Sequence, residues 1–298
     1  MQLVLKNNLI GREILKKVAS LMLLITLLFI VPACNGKGDG GKDPIDRKQE
    51  QSTGGSRPTV KGVKNVDVVN THGRIFEGLD NMHTFYENVL NGVLSDLRIV
   101  HYTIEGDPIV TDLKYDGETM KVINDSTRDK FGSGEIETTK CSGLIEEVTH
   151  TNTTYFAVDC SDGHSGMLEI LAIEYNVEQE DFFELALKYG NRLENEISTK
   201  TQVATRAPNS KETVTTSDFQ LSSEVKQEVY KQLVMANYLG DIELVNNCHS
   251  NQFEEYDLQV YINGGEREFH WSSCDESPAG VKFTKIAEYI IAQSEMKE

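Results

Sequence analysis

The sequence predicts an α+β protein of two small domains, each a helix packed on a mainly antiparallel sheet. Three observations point there. Apolar stripes at helical spacing occur in only a few places, short alternating runs are joined by hairpin signals, and a Ser/Thr-rich stretch divides the chain. The expected division is a larger domain over 62–195, a linker over 196–218 and a smaller α-β-β-β-α domain over 219–298.

The larger domain opens with a helix. Met82, Phe85, Tyr86, Val89 and Leu90 fall at i, i+3, i+4, i+7 and i+8, with Asp80 as the expected cap and Gly92 as the stop. Strand candidates follow at 97–104, 109–114 and 119–123. The last two flank Tyr115-Asp116-Gly117-Glu118, where Asp-Gly signals a hairpin. Further candidates are 143–149, 154–159, 168–175 and 182–188, the last equally readable as a short helix.

The stretch STKTQVATRAPNSKETVTTS has low hydrophobicity and is nearly half Ser or Thr, which reads as an interdomain connector. Beyond it, Ser222 is placed to cap a helix whose Val225, Val229, Leu233 and Ala236 share a face, with Gly240 at its end. Strands are expected at 242–246, 257–262 and 266–271, the last two joined through Asn263-Gly264-Gly265. Ser277-Pro278 then starts a final helix with the stripe Phe283, Ile286, Ala287, Ile290, Ile291.

Ahead of these domains lies a basic stretch with Lys6, Arg12, Lys16 and Lys17. An apolar run over 18–31 follows, then Val31-Pro32-Ala33-Cys34 and an abrupt change to Asn35-Gly36-Lys37-Gly38. These are the parts of an export signal, and the run is shorter than a spanning helix needs. A cysteine directly after a small residue resembles the lipobox of bacterial lipoproteins. That resemblance implies a lipid on Cys34, cleavage after residue 33, and a place on the outer face of the cell membrane. Pro32 departs from the usual lipobox residue. The polar, Gly-rich 34–61 reads as a flexible tether.

The full chain carries 29 basic and 47 acidic residues, a net charge of -18. Loss of 1–33 removes Lys6, Arg12, Lys16, Lys17 and Glu13, leaving a still more acidic chain. Such a surface is a poor match for nucleic acid, whose binding rests on Lys and Arg at phosphates. It keeps a tethered domain soluble.

Besides Cys34 there are Cys141, Cys160, Cys248 and Cys274, two per expected domain. An exported compartment favours disulfides, and four cysteines allow three connectivities. Pairing within each domain gives Cys141–Cys160 and Cys248–Cys274. The rival is half a zinc site, from Cys160 with His164 or Cys248 beside His249. No C-x-x-C pair completes it, and no metal or cofactor is expected.

The candidates for chemistry are His72 in Val-Asn-Thr-His-Gly, His101, and the paired acids Glu105 and Asp107 at Glu-Gly-Asp-Pro. Together they are the residues a surface hydrolase would use. Trp271, the only tryptophan, is either a core aromatic or an exposed contact for a partner.

Asp67-Val68-Val69-Asn70-Thr71-His72-Gly73, Arg98-Ile99-Val100-His101-Tyr102-Thr103-Ile104-Glu105-Gly106-Asp107-Pro108-Ile109 and Arg128-Asp129-Lys130-Phe131-Gly132 together resemble an uncharacterised domain of Gram-positive, bacillus-type lipoproteins. The smaller expected domain, through Trp271-Ser272-Ser273-Cys274-Asp275, resembles similar lipoprotein tails. The resemblance implies an extracytoplasmic setting and brings no catalytic residue. The expectation is a membrane-anchored, non-enzymatic module that binds a surface protein or the cell wall. Its alternatives are a surface hydrolase and a cation-binding protein.

Overall fold

The computed structural model describes residues 63–71, 74–161, 166–209, 212–248 and 253–295. The expected export signal, Cys34, the tether over 34–61, His72, His164 and His249 lie outside the described residues.

Three sheets and three α-helices make up the described chain. The first sheet contains β1 (Val68–Thr71), β2 (Arg74–Glu77), β3 (Ser95–Tyr102), β4 (Pro108–Tyr115), β5 (Met120–Asp125) and β6 (Ile136–Cys141) in the order β2-β1-β3-β4-β5-β6. Only the β1–β3 pairing is parallel, and helix α1 (Leu79–Leu90) lies in the crossover between them. The second sheet is the meander β7 (Gly143–Val148), β8 (Asn152–Val158) and β9 (Met167–Glu174).

The third sheet runs β13-β12-β11-β10-β14-β15. It comprises β10 (Phe183–Gly190), β11 (Asn195–Ser198), β12 (Val203–Asn209), β13 (Glu212–Ser217), β14 (Glu255–Ile262) and β15 (Gly265–Ser272). Helices α2 (Ser223–Met235) and α3 (Pro278–Glu295) complete the fold.

The expected two-domain division is not seen. Strand β10 lies within 62–195, yet it pairs along its whole length with β14, from Phe183↔Ile262 to Gly190↔Glu255. The stretch expected as a linker supplies β11, β12 and β13. Its Thr and Val residues suit a pleated surface as well as they suit a connector. Pro208, which forbids a regular ladder position, falls where the β12–β13 register shifts between Arg206 and Asn209. One apolar cluster then runs from Ile99 and Leu113 through Tyr155 and Leu171 to Leu187, Leu258, Val229 and Phe283.

Gln227 shows how tightly α2 is joined to the second sheet. It is 4 % exposed. Its Nε2 donates to the Tyr175 carbonyl (2.6 Å) and the His150 carbonyl (3.2 Å), and its Oε1 accepts from the Val177 N–H at 3.0 Å. A buried amide between elements on either side of the expected linker satisfies backbone groups that would otherwise be orphaned.

Most turn and cap signals fold as read. Asn263 (φ 47°) and Gly264 (φ 80°) make the two-residue hairpin with both φ positive that Asn-Gly favours. At the other hairpin, Asp116 Oδ1 accepts from the backbone N–H of Glu118 and Thr119. Ser222 Oγ accepts from Val225 N–H at 3.3 Å, and Ser277 Oγ from Gly280 N–H at 3.0 Å.

Three details differ. Asp80 is not the cap of α1: Gly78 is, at φ 89°, and Asp80 sits in the first turn, where its charge suits the helix dipole. A Cβ at Gly78 would lie 1.8 Å from the Asp67 carbonyl oxygen, so the chain just ahead of β1 and the start of α1 meet only over glycine. Helix α2 stops at Asn237 (φ 57°) rather than at Gly240, with Tyr238 N–H on the Leu233 carbonyl and Asn237 N–H on the Val234 carbonyl. The expected strand over 242–246 is irregular chain. There Val245 N–H is taken by the Asp275 carboxylate at 2.8 Å, where a ladder partner would otherwise stand.

Candidate functional site

The inner face of the first sheet changes character along its length. Leu97, Ile99, Leu113, Met120 and Val122 are buried in the core. Further along the same face, at every second position, stand His101, Thr111, Asn124 and Glu137, with Asn70 paired beside His101 on β1. Opposite them runs β9, the edge strand of the second sheet. Between lies a cleft of about 430 Å³. Its β9 wall is formed by consecutive residues from Leu168 to Ala172, and the register shifts there, where Tyr155 faces Leu171 but Phe156 faces Glu169. Ile170 is the extra residue of this bulge, which turns neighbouring residues of both parities toward the cleft.

Asn70 and His101 form the polar floor. Asn70 Nδ2 donates to His101 Nδ1 at 3.3 Å, which places the imidazole proton on Nε2. Burial pushes the pKa of His101 down to about 4, so the ring is neutral near pH 7. Asn70 is 9 % exposed, and its Oδ1 is buried with no hydrogen-bond partner. Turning the amide over would move the orphan to nitrogen without removing it. A buried polar atom left alone costs about 1–3 kcal/mol. Nearby, Thr111 Oγ1 donates to Asn124 Oδ1 at 3.3 Å. Glu137, Glu169 and Glu174 bring three carboxylates to the walls, and neither Lys nor Arg is among the described side chains that line the cleft.

The other sequence candidates among the described residues do not line this cleft. Glu105 is exposed in the β3–β4 turn. Asp107 is closed off by Lys130, accepting from its Nζ at 2.8 Å and its backbone N–H at 3.1 Å, and these bonds hold its carboxyl below the usual value. Neither acid lines the cleft with His101. Trp271 is fully buried. It stacks on Tyr256 with centroids 5.0 Å apart, and its Nε1 donates to Thr284 Oγ1 at 3.0 Å. It is a core residue, not a contact surface.

The disulfides Cys141–Cys160 and Cys248–Cys274 are both formed. The first ties the end of the first sheet to the loop after β8. The second ties the irregular stretch before β14 to the turn between β15 and α3. Among the described residues no three His, Cys, Asp or Glu side chains are grouped as metal ligands, and no helix is long and apolar enough to cross a membrane.

Sequence reasoning singled out His101 but missed Asn70, Thr111, Asn124, Glu137, Glu169 and Glu174. The available signal was parity. Once Leu97 and Ile99 face inward, His101 must too, and polar residues at core parity on its neighbours mark a wetted stretch of the inner face.

Residues 65–156 match a domain of unknown function, DUF4362. The matched stretch includes the whole first sheet and ends within β8, so it holds the Asn70–His101 floor but not the β9 wall. No curated protein and no solved structure matches the chain.

Proposed function

We propose that the protein is a non-enzymatic binding module, tethered by a lipid on Cys34 to the outer face of a bacterial membrane, and that the cleft between the first sheet and β9 is its ligand site. The observation that supports the site most directly is Asn70, a nine-tenths-buried amide with an unpaired polar atom in the floor of a cleft. The cleft volume, about 430 Å³, falls in the range typical of small-molecule sites. Glu105 and Asp107 do not line the cleft with His101, and Asp107 is held by Lys130, which favours the binding reading over a hydrolase built on His101. The address is supported by the signal-like segment before Cys34 and by two disulfides that suit an oxidising compartment.

The address is tested by metabolic labelling with an alkyne-tagged fatty acid. The wild-type chain should carry label and sediment with membranes, while Cys34→Ser should lose the label and appear in the soluble fraction. Equal labelling of both chains would overturn the anchor.

A further inference from the structure

We infer that the cleft takes a small organic cation, an aliphatic amine or guanidinium that also carries a hydroxyl or carbonyl acceptor. This rests on the reading of the cleft as a ligand site and adds the chemistry of its occupant. Two independent features point the same way. The first is charge: Glu137, Glu169 and Glu174 line the cleft, with no Lys or Arg among its described lining residues and a neutral His101 in its floor. Carboxylates on the walls of a partly enclosed site concentrate negative potential there and draw in cations while repelling anions. The second is the unpaired Oδ1 of Asn70, a residue 9 % exposed in the floor of the cleft. The oxygen is closed to water as the cleft stands, so the amide must turn toward the cleft for a ligand N–H to complete it.

The remaining parts define the rest of the occupant. With its Nδ1 engaged by Asn70, His101 offers Nε2–H as a donor, which suits a hydroxyl or carbonyl on the ligand. Ile109, Leu168 and Ile170 add apolar wall for a short carbon skeleton. A bare metal ion fits less well. Asn and Thr side chains separate the acids, and the described residues hold no grouping of three His, Cys, Asp or Glu. An organic cation can instead place its charge near one carboxylate and its body on the apolar strip.

The test is calorimetric titration of the full-length protein in mild detergent, at low salt and near neutral pH. Glucosamine and Nα-acetylargininamide are the cationic probes, N-acetylglucosamine and Nα-acetylcitrullinamide their neutral counterparts, and succinate the anionic control. The expected result is saturable one-to-one binding of at least one cation, at least about tenfold tighter than its neutral counterpart, a difference of 1.4 kcal/mol. Binding should weaken with added salt. It should also fall by about tenfold in Asn70→Ala and several-fold in Glu137→Gln. Glu137 is exposed, so its variant should fold even where the buried Asn70 change does not.

Binding of a neutral probe or succinate as tight as that of the cations, and still sensitive to Asn70, would overturn the cation inference and leave the ligand site standing. Cation binding indifferent to both substitutions would place the site elsewhere and overturn the inference. So would the absence of heat with every probe.

Discussion

His101 and Gln227 are both polar side chains taken out of water, and each makes a separate demand on the fold. For His101 the demand is protonic. In the unfolded chain its imidazole titrates near the ordinary value of 6.5, and in the folded protein at about 4. Between those values the unfolded chain holds the proton and the folded chain does not. The stability linked to His101 is therefore complete above pH 6.5 and is lost as pH falls toward 4, by roughly 3 kcal/mol over the window. His101→Gln should flatten the wild-type decline over that range when unfolding is followed in denaturant at successive pH values. Parallel pH profiles for the two proteins would mean that His101 is not the buried neutral group described.

For Gln227 the demand is geometric. Gln227→Leu preserves bulk but strands the Val177 N–H and the Tyr175 carbonyl, so a loss of about 2–4 kcal/mol is expected in chemical denaturation. A change below about 0.5 kcal/mol, the range of an ordinary surface substitution, would contradict that role.

At the scale of elements, turns and caps were the most legible parts of the sequence because their chemistry is local. Asn263-Gly264 and Asp116-Gly117 have backbone requirements that few residues meet, and both hairpins stand where they were expected. The stretch over 196–218 was misread for an equally physical reason. Strand β13 is exposed along its whole length, so it lacks the alternating burial by which a strand is recognised. Its partner β12 is its neighbour in sequence, but the run over 205–217 holds Val214 as its one large apolar residue, so no apolar pattern marks the hairpin. The polar cleft residues were hidden likewise, since Asn70, Thr111 and Glu137 converge from strands far apart in sequence.

Amide hydrogen exchange gives a direct reading of this region. The amides of Thr205 and Ala204 belong to a strand flanked by β11 and β13. The β12 peptide should be protected well beyond an unstructured chain, and limited proteolysis should leave 196–206 intact. Exchange at the intrinsic rate, with clean cleavage into two folded halves, would restore the linker.

For the whole molecule, the β10–β14 pairing and the main apolar cluster make one cooperative unit out of what the sequence divides in two. The two disulfides each close a loop within one half of the chain. In the chain-entropy account each adds about 3 kcal/mol by restricting the unfolded state. Such a unit can hold a rigid cleft at the end of a tether, which is the arrangement proposed for this protein. The most direct test is the native mass of the full-length protein gently extracted from its membrane, compared with Asn70→Ala. The account predicts a chain beginning at a lipidated Cys34, with both disulfides intact and a small non-covalent adduct that the variant loses. An unprocessed chain, with wild type and variant alike free of any adduct, would contradict it.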